Sequence, residues 1–145
     1  MSPALRVPLA GLLAWILPGL GHIFIGERVR GTILLVTITL TFWSGVAIGG
    51  VRDTVDSETR KAWFVAQTCT GVHGLVAHAW SKQLREVPAE AQLPPAHWLA
   101  AETGVVYAGV AGLLNVLIIL DALIRADQPS GGGGKPGVVG SRGGT

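Results

Sequence analysis

The chain is poor in charged residues and in the residue types that most enzyme sites use. Of its 145 residues only 14% are charged, whereas a soluble domain has roughly 25%. Cys69 is the single cysteine, which excludes an internal disulfide. No tract of Lys and Arg resembles a nucleic-acid footprint, so nucleic acid is not expected as a partner. A soluble chain this short could hardly cover its apolar surface, and the composition therefore predicts a membrane protein.

Motifs for common catalytic chemistry are also missing from the sequence. There is no H-E-x-x-H or C-x-x-C metal pattern, and Ser44 and Ser81 lie in no nucleophile elbow. The GGGG run near the C-terminus follows no strand and contains no Gly-Lys-Ser, so it is not a phosphate loop. Cys69 lies in an apolar segment, where thiols are inert. We expect neither an enzyme nor a cofactor.

What the chain does have is apolar sequence in blocks, with a mean hydropathy of +0.49. A helix needs ~20 apolar residues to cross the bilayer core. Four segments approach that length: residues 9–25, 32–51, 62–80 and 104–124. The third is the most polar, and whether it crosses is left open. We predict an all-α integral membrane bundle of four spans within residues 1–126, and a flexible, disordered Gly-rich tail over 127–145.

The distribution of Lys and Arg predicts the orientation of such a bundle. With four spans, one side holds the N-terminus, the second loop and the tail, with Arg6, Arg52, Arg60, Lys61, Arg125, Lys135 and Arg142. The other side holds Arg28, Arg30, Lys82 and Arg85. Cytoplasmic loops carry the excess of positive charge, so both termini are expected in the cytoplasm.

The first apolar segment is interrupted by "LPGLGHIFIG". Pro18 removes a backbone donor and disturbs the carbonyl one turn earlier, while small residues let another backbone approach. We interpret the motif as a kink that packs the first span tightly against the second. Its members are Pro18, Gly19, Gly21, His22 and Gly26. The alternative is a broken helix that lines a site, as in transporters.

The stretch "LPGLGHIFIGERVRGTILL" resembles the opening hairpin of small bacterial membrane proteins of the two-transmembrane-helix domain type. The later "VAGLLNVLIILDAL" is similar to the closing helix of an uncharacterised, largely planctomycete family that shares this opening. The Asp-Arg-Phe turn typical of the two-helix domain is absent here, with Glu27, Arg28 and Arg30 in its place. The resemblance implies the bacterial cytoplasmic membrane as the location and no established activity.

Small and polar residues inside the spans indicate helix packing. The small-xxx-small spacing, which lets helices approach closely, occurs in two spans, at Gly45, Gly49, Gly104, Ala108 and Gly112. His73 and Asn115 fall near the middle of their spans, where we expect hydrogen bonds across helices or, as a second interpretation, a proton relay. Asp121 precedes Arg125 by four residues, so the two can pair on one helical face.

Four-span topology would place several possible metal ligands near the outer side. His22, His78 and Glu102 could then bind a divalent metal, with His97 close by. The spacing matches no metal motif, and interfacial histidines are mostly solvated or hydrogen-bonded, so we expect no metal site.

Two functional hypotheses follow. The first is a structural or accessory membrane protein that associates with itself or with a larger complex through its glycine-lined faces. The second is a small pore or carrier for protons, a metal ion or a small solute.

Overall fold

The computed structural model describes residues 3–55, 60–88 and 97–128, and within these ranges all regular structure is helical, as predicted. The helices are α1 (Pro3–Ile16), α2 (Leu20–Phe24), α3 (Arg28–Gly49), α4 (Val51–Thr54), α5 (Lys61–Thr68), α6 (Val72–Arg85) and α7 (Trp98–Asp127). The tail predicted to be disordered lies outside the described residues from 129 onwards.

An antiparallel pair of long helices, α3 and α7, organises the fold. They have 22 and 30 residues, and they are the two described helices that are long and apolar enough to cross a membrane. Near the end of α3, a Cβ added at Gly45 would lie 2.7 Å from the carbonyl oxygen of Gly104, at the start of α7. At the other end, Arg30 and Asp121 are 3.0 Å apart. The two helices therefore run in opposite directions.

The first apolar segment forms a helical hairpin instead of a kinked helix. Helix α1 ends at Ile16, and α2 begins after Gly19, whose φ of 85° is a conformation that glycine adopts readily. Arg6, near the start of α1, donates to the carbonyl of Ile25 just after α2, at 3.4 Å. The chain thus runs down beside α7 to the middle of the bundle and returns to the end from which it started.

A second hairpin, α5–α6, enters from the opposite end. Arg60, just before α5, pairs with Glu102 at the start of α7 at 2.8 Å. The far end of α5 reaches the middle of α7, where Asn115 donates to the carbonyl of Cys69. Helix α6 then returns, and Arg85 donates to the carbonyl of Arg52 at 3.0 Å. Gly71 makes the reversal, with a φ of 66°.

The four predicted spans are not supported by this architecture. The segments 9–25 and 62–80 are each divided between two helices, because the glycines at positive φ reverse the chain. Four spans also require α3 and α7 to be parallel, whereas they are antiparallel. The chain between Gly49 and Trp98 therefore ends on the same side of the bundle as it begins.

Candidate functional site

The two hairpins meet tip to tip beside Asn115, near the middle of α7. The Asn115 side chain is fully buried. Its amide nitrogen Nδ2 donates to the carbonyl oxygen of Ala14 at 3.3 Å, in the last turn of α1, and to that of Cys69 at 2.8 Å, just after α5. One side chain therefore caps the C-terminal ends of two helices that point at each other.

The helix ends that meet here carry partial charges of both signs, since α2 and α6 begin at the same tips where α1 and α5 end. The C-terminus of a helix carries about half a negative charge, and here two such ends converge. The amide protons of Asn115 offset part of that charge. Its oxygen Oδ1 is buried and has no hydrogen-bond partner among the described residues. A polar group of this kind calls for an explanation, such as a water or an ion.

Glycine allows the tips to approach each other. A Cβ added at Gly71 would overlap the carbonyl oxygen of Trp15 and would lie 2.6 Å from that of Ile16. The same kind of contact recurs one turn before Asn115, where a Cβ at Gly112 would overlap the carbonyl of Ala66. The tip region is therefore closely packed, backbone against backbone.

A second polar cluster, the Asp121 network, closes the open end of the first hairpin. Asp121 accepts from Arg125 at 3.0 Å and pairs with Arg30 at 3.0 Å. Its Oδ2 lies 2.8 Å from Nε2 of His22, whose side chain is completely buried. Arg125 also donates to Glu27 at 2.9 Å. The network ties α2, the following turn, α3 and α7 together.

The Asp121 network holds helices together, since its hydrogen bonds and ion pairs join side chains from different elements. The other ring nitrogen of His22, Nδ1, is buried and has no hydrogen-bond partner among the described residues. His22, which is buried, and Asp121, which is 34% exposed, thus form a pair to which no described hydroxyl or thiol is hydrogen-bonded. A nucleophile that could use the pair is therefore not in place within the described chain.

The motif residues and the small residues occupy identifiable contacts. Pro18 is buried at the hairpin turn, and Gly21 packs against Ala14 and Ala122 at 2.9 and 3.2 Å from an added Cβ. Gly26 adopts a φ of 103° in the turn before α3. The α3–α7 contact is formed by Gly45, Gly49, Gly104 and Ala108. Gly112 instead faces α5.

His73 lies at the start of α6, near the tip of the second hairpin. Its Nε2 is 2.8 Å from the hydroxyl of Thr39, in the middle of α3. The ring also packs near Phe42 and Trp43, with centroid distances of 6.2 and 6.5 Å. His73 thus links the second hairpin to α3.

The three residues considered as metal ligands lie apart. His22 pairs with Asp121 near the end of α7, whereas Glu102 pairs with Arg60 near its beginning. Nineteen helical residues separate these two acids, which corresponds to about 28 Å. His78 packs on the ring of Phe64, with centroids 4.7 Å apart. Within the described ranges, no group of three or more His, Cys, Asp or Glu could hold a metal ion.

Sequence reasoning found only part of the Asp121 network. The pairing of Asp121 with Arg125 is confirmed. The four-span topology places Arg30 on the side of the membrane opposite Arg125, because it treats the first segment as a full span. The signal that could have corrected this is Pro18-Gly19, which falls halfway along that segment and marks the reversal.

A model for a family of unknown function, DUF6677, matches residues 9–132. The match covers most of the sequence, and the chain belongs to that family. No curated protein and no solved structure is similar to it by the same kind of comparison.

Proposed function

We propose that this DUF6677 member is a small multi-pass integral membrane protein, in which α3 and α7 cross the bilayer and the two hairpins enter from opposite faces. The observation that carries the proposal is the outer surface of the long helices. Leu40 of α3 is 62% exposed, and Leu117 and Ile124 of α7 are 61% and 63% exposed. Large apolar side chains in contiguous exposed patches indicate contact with lipid or with a partner.

In this topology both termini lie on the same side as the turn at Glu27, and the distribution of basic residues changes. That side now holds Arg6, Arg28, Arg30, Arg125, Lys135 and Arg142, and the opposite side holds Arg52, Arg60, Lys61, Lys82 and Arg85. The numbers are nearly equal, so the rule that predicted cytoplasmic termini favours neither orientation. The bacterial cytoplasmic membrane remains our proposed location, on the resemblance of the opening hairpin.

The proposed role is structural or accessory, without enzymatic activity. The buried polar side chains with partners hold helices to one another, as Asn115 and His22 do. The glycine-lined faces of α3 and α7 are already used within the chain, because Gly45 and Gly104 contact each other. Association with a second copy or with a larger membrane complex would therefore use the exposed leucine-rich faces instead.

Membrane integration is tested by washing isolated membranes with alkaline carbonate. An integral protein stays in the pellet, whereas release into the supernatant would contradict the proposal. The association is tested by crosslinking in membranes between single cysteines in a Cys69→Ser background. Cysteines at Leu40 or Leu117 should crosslink to a second copy or a partner, and one at the internal Gly45 should not.

A carrier of protons or cations is the second candidate, and one observation favours it. Two helix C-termini converge on Asn115, and helix ends at the middle of the membrane coordinate ions in transporters with broken helices. The purified protein in proteoliposomes would be assayed for proton and sodium flux. Flux that is lost in Asn115→Ala while the protein remains folded would support the carrier over the accessory role; absence of flux in the wild type would exclude these two cargoes.

A further inference from the structure

A groove lies between α3 and α7, and Arg30 and Asp121 of the Asp121 network form part of its lining. Its volume is about 310 Å³, the lower end of the range for ligand sites, roughly 300–1,000 Å³. The two helices are in backbone contact at Gly45 and Gly104, and the groove opens between them toward the Asp121 network. It is lined by Arg30, Leu34, Thr37, Ile38, Leu114, Leu117, Ile118 and Asp121.

The lining residues are arranged along the groove by polarity. Arg30, Leu34 and Ile38 follow one another at four-residue intervals, so they form one stripe of α3. Ile38 and Ile118 are almost fully buried and form the floor, whereas Leu117 is exposed at the rim. Apart from the hydroxyl of Thr37, one end of the groove is thus apolar, and the other ends at Asp121 and at the guanidinium of Arg30, which is 48% exposed.

The groove matches the dimensions of one membrane leaflet. From Arg30 to Ile38, eight helical residues span about 12 Å, and one leaflet of the hydrocarbon core is about 15 Å thick. A hydrocarbon chain that lies in the groove would therefore place its polar head at Arg30, at the membrane surface.

The charged residues at the Arg30 end of the bundle indicate which lipid head group would bind there. Four arginines, Arg6, Arg28, Arg30 and Arg125, stand here with three acids, Glu27, Asp121 and Asp127, among the described residues. Arg28 is exposed at the start of α3, two residues before Arg30 and therefore on another face of the helix. This end of the bundle thus carries one more basic than acidic side chain among the described residues, which favours an anionic lipid phosphate over a neutral head group.

We propose that the groove between α3 and α7 binds an anionic phospholipid, with one acyl chain between Leu34, Ile38 and Leu117 and the phosphate at Arg30. The inference rests on the membrane location proposed above. Arginine suits this role because its planar fork of donors matches a phosphate. Arg30 lies 3.0 Å from Asp121, and its Nε lies 4.0 Å from Glu27, but 48% of its side chain is exposed and can reach the phosphate while both carboxylates stay in place.

The proposal is tested by lipid titration of the detergent-purified full chain, followed by native mass spectrometry. The probes are dioleoylphosphatidylglycerol, dioleoylphosphatidylcholine and dioleoylglycerol, which share acyl chains and differ in the head group. We expect the first to bind most tightly. In Arg30→Gln its affinity should fall about tenfold, as for a lost charge-assisted hydrogen bond, and Arg30→Lys should restore part of it.

Two matched controls distinguish binding in this groove from non-specific binding of lipid elsewhere on the protein surface. Arg60→Gln removes an arginine that is also ion-paired, at the opposite end of α7, and should leave the affinity within about twofold. Leu117→Trp should fill the groove and weaken binding of all three lipids, whereas Leu120→Trp, on the same helix but outside the groove, should not. If Arg30→Gln does not fold, the Leu117 and Leu120 pair decides.

Three results would overturn the groove assignment: equal binding of phosphatidylglycerol and phosphatidylcholine, equal loss in Arg30→Gln and Arg60→Gln, or unchanged binding in Leu117→Trp. A protein that resists carbonate extraction and gives any of these results lacks the lipid site but keeps its membrane location. A protein that alkaline carbonate releases from the membrane contradicts the proposed membrane integration, on which the lipid site rests.

Discussion

The two hairpins reach the same point in the bundle but are anchored by different interactions. The first, α1–α2, is fastened at its open end to a charged group, since the buried His22 is hydrogen-bonded to the carboxylate of Asp121. The second, α5–α6, is fastened mainly by neutral hydrogen bonds. Gln67 donates to the carbonyl of Thr54 at 2.9 Å, and Ser81 donates to that of Val55 at 3.1 Å.

This difference has a consequence for stability. A partly buried ion pair that loses one partner leaves the other charge poorly solvated, whereas a neutral bond costs less to remove. The ion pair of the second hairpin, Arg60 with Glu102, is too exposed to contribute much. We therefore expect removal of a charge to destabilise the first hairpin, and any single polar substitution to destabilise the second only weakly. A substitution at the shared tip should destabilise both hairpins.

The largest effect is expected from Gly71→Ala at the shared tip. The new Cβ would overlap the carbonyl of Trp15, and the residue would be held at a φ of 66°. Strain and overpacking at ~1–3 kcal/mol each together predict a loss of about 4 kcal/mol in the free energy of unfolding in micelles. Gly50→Ala is the matched control, because Gly50 has a φ of 73° with nothing within 4 Å of an added Cβ. Equal losses in the two variants would show that the tips do not touch.

The next effect is expected from Asn115→Ala, which leaves the carbonyls of Ala14 and Cys69 without their shared donor. An unsatisfied buried acceptor costs ~1–3 kcal/mol, so we predict a loss of about 2–3 kcal/mol and faster hydrogen exchange in both hairpins. Thr103→Ala, which removes a hydroxyl bonded only within α7, should change little. Exchange that rises in one hairpin alone would argue against a shared cap.

A smaller effect, confined to the first hairpin, is expected from Asp121→Asn. The variant keeps the size of the side chain but removes the charge that faces His22, Arg30 and Arg125. Because Asp121 is 34% exposed, we predict about 2 kcal/mol, below the 3–5 of a fully buried pair. Hydrogen exchange should rise over residues 3–24 and stay unchanged over 61–85. Faster exchange in the second hairpin would remove the distinction between the two.

The smallest effect is expected from Gln67→Met. The change removes the bond to the carbonyl of Thr54 but also removes Oε1, which is buried without a partner among the described residues. These contributions partly cancel, so the loss should be about 1 kcal/mol or less. The thermal unfolding midpoints of Gln67→Met and Asp121→Asn measure the two losses of stability. A larger loss in Gln67→Met than in Asp121→Asn would reverse our ranking of the hairpins.

The sequence predicts the helices better than it predicts their directions. The charge-free segment 32–51 and the apolar segment 104–124 correspond to α3 and α7, because hydrophobic length is a local property. The reversals at Pro18-Gly19 and at Gly71 were not predicted, since a glycine inside an apolar segment is compatible with a kink, a packing contact or a turn. Without those reversals, Glu27 and Asp121 could not be placed together.

Side-chain partners were predictable only within one helix. Asp121 and Arg125 are four residues apart, so their pairing follows from helical geometry. The partners of Asn115 and His73 depend on which backbone lies opposite, and that is set by the hairpins. Hydrogen bonds across helices were expected at both residues, but that Asn115 would cap two helix ends could not be inferred from its position alone.

In the proposed topology α3 and α7 cross the membrane in opposite directions, and both hairpins return to the side they entered. Labelling of single cysteines with an impermeant maleimide, in intact cells and in inverted vesicles, tests this topology in a Cys69→Ser background. The positions are Val29, Lys61, Glu86 and Asp127, all exposed. We expect cysteines at Lys61 and Glu86 to label from one side and cysteines at Val29 and Asp127 to label from the other. Labelling of Lys61 and Glu86 from opposite sides would mean that the third segment crosses, and would contradict the proposed topology.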